Sequence, residues 1–294
     1  SHSARGSLAA GQSLAAERGN RAVAPARAAA DAAPHVRGGT QPHTGAAETP
    51  LVNFKEQCDA FLEAGPGVVS SIMGLYPKDF VASLKEKNIK WFAKATTVSE
   101  AVLAEEAGAD VIVAQGMEAG GHKGAFNAGE AETNMIGLFS LVPAISDAVN
   151  LPVVASGGVA DARGIAAALL LGASAVEIGT GFLRCPEAGI AGVWADAIGR
   201  SKPEDTIVTR AFSGRLGRSI RTKYAVASVS DNAPNPAPYP IQRNLTKVMR
   251  DNASQKNDLD GMQAWAGQSS KLAQAIPASE LVVKLWQETT KILK

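Results

Sequence analysis

Between residues 51 and 186 short apolar runs alternate with amphipathic stretches, and that alternation limits the chain more than any other feature. The runs are "GVVSSIMG" (67–74), "IKWFAKATT" (89–97), "DVIVAQG" (110–116), "LPVVASGG" (151–158) and "SAVEIGTGFL" (174–183). Between them lie "PKDFVASLKEKN", "SEAVLAEEAGA", "GLFSLVPAISDAVN" and "DARGIAAALLLGA", each with helical spacing of its apolar residues, and "NFKEQCDAFLEAG" precedes the first run. Pro77 stands at the start of one helix, Ser99 is a plausible N-cap of the next, and Asp161 sits at the N-terminus of a third. Strands separated by helices of about 10–15 residues build βαβ units and a parallel sheet. The strands are apolar almost throughout, as expected when both faces of a sheet are covered. The predicted class is α/β.

The rest of the chain reads differently. Residues 1–50 contain no Phe, Trp, Tyr, Ile, Met, Cys or Lys, and only Leu8, Leu14, Val23 and Val36 are sizeable apolar residues. Such an Ala/Arg/Gly-rich segment buries too little surface to offset its ordering entropy, so it is expected to be poorly ordered. Its Arg-rich start also has the flavour of a transit peptide. Residues 51–212 are expected to form the βα core and 213–275 a helical lid, with a C-terminal helix over 276–294. The stretch "DNAPNPAPYPIQ" carries a proline at every second position from Pro234 to Pro240 and reads as a loop. "RNLTKVMRDNASQ" and "GMQAWAGQSSKLAQAI" read as lid helices, and "ASELVVKLWQETTKILK" as the last one.

Composition excludes some functions. The net charge of +1 argues against nucleic acid or an anionic membrane as a partner. No apolar run approaches the roughly 18 residues of a membrane span. Two cysteines, Cys58 and Cys185, are too few for a disulfide framework and fit a cytoplasmic setting. No His/Cys/Asp cluster at ligand spacing points to a metal. Neither G-x-S-x-G nor a G-x-G-x-x-G after a strand is present.

The chemistry gathers where strands end. "KATT", "AQGMEAGGHKG", "ASGG" and "IGTG" close four of the runs with small or polar residues, the place where βα-barrels carry their sites. Glycines ahead of a helix start bring backbone N–H groups close to an anion, so "SGG" and "GTG" together point to a phosphate. Of four histidines, His2, His35 and His43 lie in the first fifty residues. Only His122 lies in the core, at a strand end among Gly120, Gly121 and Gly124, where an imidazole can exchange a proton near neutral pH. A His in a loop is more often inert, but glycines on both sides leave room for a ligand. Glu118 and Lys123 read as loop charges, and Lys123 as a solvated one.

"QGMEAGGHKG", "PVVASGGVADARGIAAALLLGASAVEIGTGFLRCPE" and "AWAGQ" together resemble the nitronate monooxygenase family, over about residues 51–294. The resemblance implies a TIM-type (β/α)8 barrel with a helical lid, binding FMN. It places Lys94 and Gln115 against the flavin and Gly121 and His122 over its face, with His122 as the catalytic group. It also places Ser156, Gly157, Gly158, Gly179 and Thr180 at the FMN phosphate. It assigns Ser219 nothing. The implied activity is oxidation of alkyl nitronates by O2 to a carbonyl compound and nitrite. The related enoyl-acyl-carrier-protein reductases share the core motifs and are the alternative. The five visible strands correspond to the fourth to eighth of the barrel, so the first three are expected to be lacking. An inactive truncated copy that serves as a scaffold is the third reading.

Overall fold

The structure, a computed structural model, describes residues 53–294. The expectations for residues 1–50, including the lack of three strands there, lie outside the described residues. Eight strands follow in chain order: β1 (Val68–Ser71), β2 (Lys90–Ala95), β3 (Val111–Gln115), β4 (Gly121–His122), β5 (Val153–Ser156), β6 (Ala175–Glu177), β7 (Thr206–Thr209) and β8 (Gly217–Ile220). All five apolar runs become strands of one parallel sheet in the order β1-β2-β3-β5-β6, a contiguous arc of a TIM-type barrel.

Helices form where capping and apolar spacing agree. Asn53 caps the helix Phe54–Ala64 by accepting from Lys55 N–H, and Gly65 ends it in the left-handed region at φ +57°. Asp161 caps the helix Ala162–Leu170, accepting from Gly164 N–H at 3.0 Å. The cap of the helix Val98–Glu106 is Thr97 rather than Ser99. Its hydroxyl accepts from Glu100 N–H, while the Glu100 carboxylate reaches back to Thr96 N–H at 2.6 Å. That reciprocal arrangement outcompetes a cap two residues later.

One large core lies between the arc and its helices, built on Leu84, Trp91, Ile112, Leu141 and Ile145. Trp91 is fully buried, and its indole N–H donates to Ser71 Oγ at 3.0 Å, which satisfies the single polar atom of a large apolar side chain. The C-terminal helix Ala278–Ile292 sends Leu281 and Leu285 into this same core and packs on the helix Ala162–Leu170.

The register places the site. Gln115 of β3 is paired with Ser156 of β5, and Ser156 with Glu177 of β6. Three polar residues therefore stand abreast at the C-terminal ends of three neighbouring strands, facing one side.

The part beyond residue 186, with a helical lid expected over 213–275, is mixed. A nine-residue helix, Gly192–Arg200, and the antiparallel sheet β4-β8-β7 come before its short helices. Strand β4 is the surprise, because it is the "GGH" loop itself. Gly121 pairs with Arg218 and His122 with Gly217. Within "GMQAWAGQSSKLAQAI" the described structure has short 3-10 turns and a bridge from Trp265 to Ser219 in place of a helix. Nothing in the local pattern shows these pairings, because β4 and β8 lie more than ninety residues apart and Ser219 lies 46 residues from Trp265.

Candidate active site

A cleft of about 490 Å³, counting its open mouth, lies at the strand C-termini. Lys94, Gln115, Ser156, Gly157, Gly158, Gly179 and Thr180 all line it, together with Ala119, Gly120 and Glu177. Gly267 and Ser269 close it from the C-terminal cover. Gly121 stands apart, in an adjoining crevice of about 250 Å³ with Met117, Met135, Val208 and Leu216. The two spaces share Gln115 and Ala119, so the loop after β3 is the wall between them.

Glycine is required here for two separate reasons. Gly157 and Gly158 adopt φ of +106° and +69°, and a Cβ on Gly157 would lie 3.0 Å from Ala119. Gly120 approaches the cover so closely that a Cβ would lie 2.5 Å from Gly267 N. Gly179 differs, because a Cβ there would meet nothing within 4 Å and would project into open space.

The charged floor of the cleft is a salt bridge. Lys94 Nζ lies 2.6 Å from Glu177 Oε1, and Ser156 Oγ donates to the same oxygen at 3.0 Å. Glu177 was missed in the sequence, although a carboxylate inside "SAVEIG" was a visible signal. Gln115 is turned to a different task from the one expected. Its amide N–H donates to His122 O at 3.0 Å and its amide O accepts from Gly124 N–H at 2.7 Å, so one side chain holds both ends of the histidine segment.

The His122 ring lines neither space. Its Nε2 is 2.6 Å from Ser213 Oγ, and its centroid lies 5.2 Å from that of Trp265. Burial is the main cause that holds its pKa below the ordinary 6.5, and the positive charges of Arg243 and Arg215 add to it. The neutral imidazole is therefore favoured over the imidazolium. The expected open space beside the ring is taken by Trp265 and Ser213, neither singled out from the sequence. No local signal marks them, since Ser213 lies 91 residues from His122.

Two loop charges turn out to be structural. Lys123 is half-buried and donates to Asn134 O, and burial lowers its pKa, so it is not a solvated charge. Glu118 accepts from Leu138 N–H with both carboxylate oxygens, at 3.0 and 3.1 Å, and so caps the helix Leu138–Ala148. The cover is locked to this loop by main-chain and buried polar contacts. Gln268 N–H donates to Glu118 O at 2.9 Å, Gly267 N–H to Thr180 Oγ1 at 3.0 Å, and Arg218 Nε to Met117 O at 3.1 Å. Ser219 is fully buried and donates to Ile220 O, a structural bond. Among the described residues no group of three or more His, Cys, Asp or Glu is placed to hold a metal ion, and no helix is long and apolar enough to cross a membrane.

A parallel βα arc with its cleft at the strand C-termini and an inserted cover defines an α/β fold of the TIM-barrel type. The chain belongs to the nitronate monooxygenase family, whose profile matches residues 21–288. The match begins thirty residues before the start read from the motifs. A probable nitronate monooxygenase of Staphylococcus saprophyticus is 38% identical over 255 residues, which is 84% of this chain and 71% of that protein. One from Staphylococcus aureus is 39% identical over 241 residues, covering 82% and 68%. Among solved structures, nitroalkane oxidase from Streptomyces ansochromogenes superposes with a TM-score of 0.76 at 36% identity, over 81% of this chain and 68% of that one. FabK from Thermotoga maritima superposes with a TM-score of 0.66 at 30% identity, covering 81% and 73%.

Proposed function

We propose that this enzyme binds FMN in the cleft and oxidises alkyl nitronates with O2, releasing a carbonyl compound and nitrite. The observation that carries the reading is the cradle at the ends of β5 and β6. Gly157, Gly158, Gly179 and Thr180 converge there, and Gly179 offers main chain without a side chain in the way. Such a cradle suits a phosphate, which main-chain N–H groups and a helix start can hold. Asp161 begins the helix that follows. The residues therefore fit FMN, which when bound supplies the electron exchange between nitronate and O2.

The chain's own residues bind, orient and move a proton. Lys94 and Gln115 form the floor under the flavin, and Gly121 leaves space beside it. His122 is neutral, so it can accept a proton from the carbon of a nitroalkane or donate a hydrogen bond to a nitro oxygen. Its Nε2 is hydrogen-bonded to Ser213, so contact with a substrate in the crevice requires the ring to turn from Ser213 and Trp265. Met117, Met135, Val208 and Leu216 give the adjoining crevice an apolar wall suited to an alkyl chain. The substrate is a small molecule, with O2 as its partner.

The test is a visible spectrum of the purified protein, followed by O2 uptake and nitrite release on adding an alkyl nitronate. Flavin bands with stoichiometric nitrite are expected. A colourless protein with no affinity for added FMN overturns the reading and favours a scaffold. The likeness to FabK supports a second reading, enoyl reduction with a nicotinamide donor. Flavin bleached by anaerobic NADH, with no nitrite from nitronates, favours that one.

A further inference from the structure

Among the described residues lining the cleft there is a single cation and a single anion, and they are bonded to each other. Lys94, on β2, reaches across the ends of β3 and β5 to meet Glu177 on β6. The other residues lining the cleft are uncharged. The Lys94 side chain is mostly buried, at 16% exposure, whereas Glu177 is 48% exposed and needs no desolvation to be charged. Without Glu177 the cleft would carry one positive charge. With it the charges of the described lining balance, and a paired, half-exposed carboxylate stands in the space that also holds the glycine cradle.

We infer that Glu177 is an affinity-limiting residue of the cleft, holding Lys94 in an internal ion pair that an anionic ligand must loosen before it can bind. The inference rests on the reading of the cleft as an FMN site. A phosphate-bearing flavin meets like-charge repulsion from Glu177 and only a neutralised Lys94. Ser156, hydrogen-bonded to the same oxygen, keeps the carboxylate in place when Lys94 turns away. The Gln115, Ser156, Glu177 row gives the reason for its position, since the register sets position 177 level with the residues that face the ligand.

The experiment is a fluorescence titration of FMN and of riboflavin, which lacks the phosphate, into apoprotein and into its Glu177→Gln variant at low and high salt. Gln keeps the size and still accepts from Ser156. The variant should bind FMN about fivefold more tightly at low salt, with the gain shrinking as salt screens it, and riboflavin with little change. Equal tightening for both ligands, or none, overturns the inference while leaving the flavin reading intact. Loss of riboflavin binding also overturns it, because the carboxylate would then be needed to build the floor. Failure of the parent protein to bind either flavin overturns both.

Discussion

The βα arc and the C-terminal cover hold themselves together in opposite ways. The arc has one continuous apolar core in which Trp91, Ile112, Leu84 and Ile145 are all buried. The cover has two small clusters of its own, a third shared with the loop after β4, and a set of buried polar side chains, among them Arg218, Thr222, Gln242, Thr246 and Ser270. Gln242 and Thr246 are turned to main-chain oxygens, of Ala211 and Phe212, at 2.7 Å each. Hydrophobic burial is tolerant of detail, but a buried hydrogen bond requires its partner at the right distance. Stability should therefore be concentrated in the arc, and precision of the site in the contacts between arc and cover.

The largest expected effect tests that division directly. His122→Ala should lower turnover by about 10²- to 10⁴-fold, with flavin content retained and a loss of stability of about 1–2 kcal/mol from the vacated contact with Ser213 and Trp265. Turnover on nitronates and neutral nitroalkanes equal to the parent's would remove the histidine from the mechanism. The counterpart in the arc is Trp91→Ala, which should cost about 3–5 kcal/mol in denaturant unfolding. If the histidine variant proves the less stable of the two, the division is wrong.

Gly179→Val comes next. The site of its side chain is empty, so the fold should be unaffected, but the phosphate would lose its approach to main-chain N–H groups. Flavin affinity should fall by about tenfold or more, a loss comparable to one charge-assisted hydrogen bond. Full flavin occupancy after purification would show that the phosphate lies elsewhere.

The smallest effect concerns pH. Burial, Arg243 and Arg215 hold the His122 pKa below 6.5, so its neutral form persists under mildly acidic conditions. The acid limb of kcat, where the imidazole becomes protonated, should accordingly lie below pH 6.5. Arg243→Met removes a repulsive charge, favours the imidazolium and should move the limb upward toward 6.5. A limb that moves down, or stays, would take Arg243 out of the field at the ring.

These two regions were not equally legible in the sequence. The arc was readable because each strand and helix carries its own period, and all five runs became strands of one parallel sheet. Seven of the eight residues expected at the cofactor line one cleft, since glycines at strand ends are a local signal; Gly121 lies in the crevice next to it. In the cover, Gly217 and Arg218 become strand only because β4, far away in the chain, offers them a partner. "GRSI" has no alternation to show this. The same holds for Ser213 against His122 and for Thr180 against Gly267, whose meaning lies in the pair. Glu177 was the avoidable miss, a charge in an apolar run that deserved a reason.

Strand β4 has one more implication, for the order in which this molecule becomes competent. The histidine is secured on one side by Gln115 and on the other by β8, which arrives with the last third of the chain. An incompletely folded copy can own a finished arc and yet have no aligned imidazole. Reactivity should thus switch on in a single step when the cover docks, so that a nascent or partly melted enzyme is silent rather than sloppy, and refolding followed by hydrogen-exchange protection of β1, β2, β3 and β5 should show these strands protected before turnover returns.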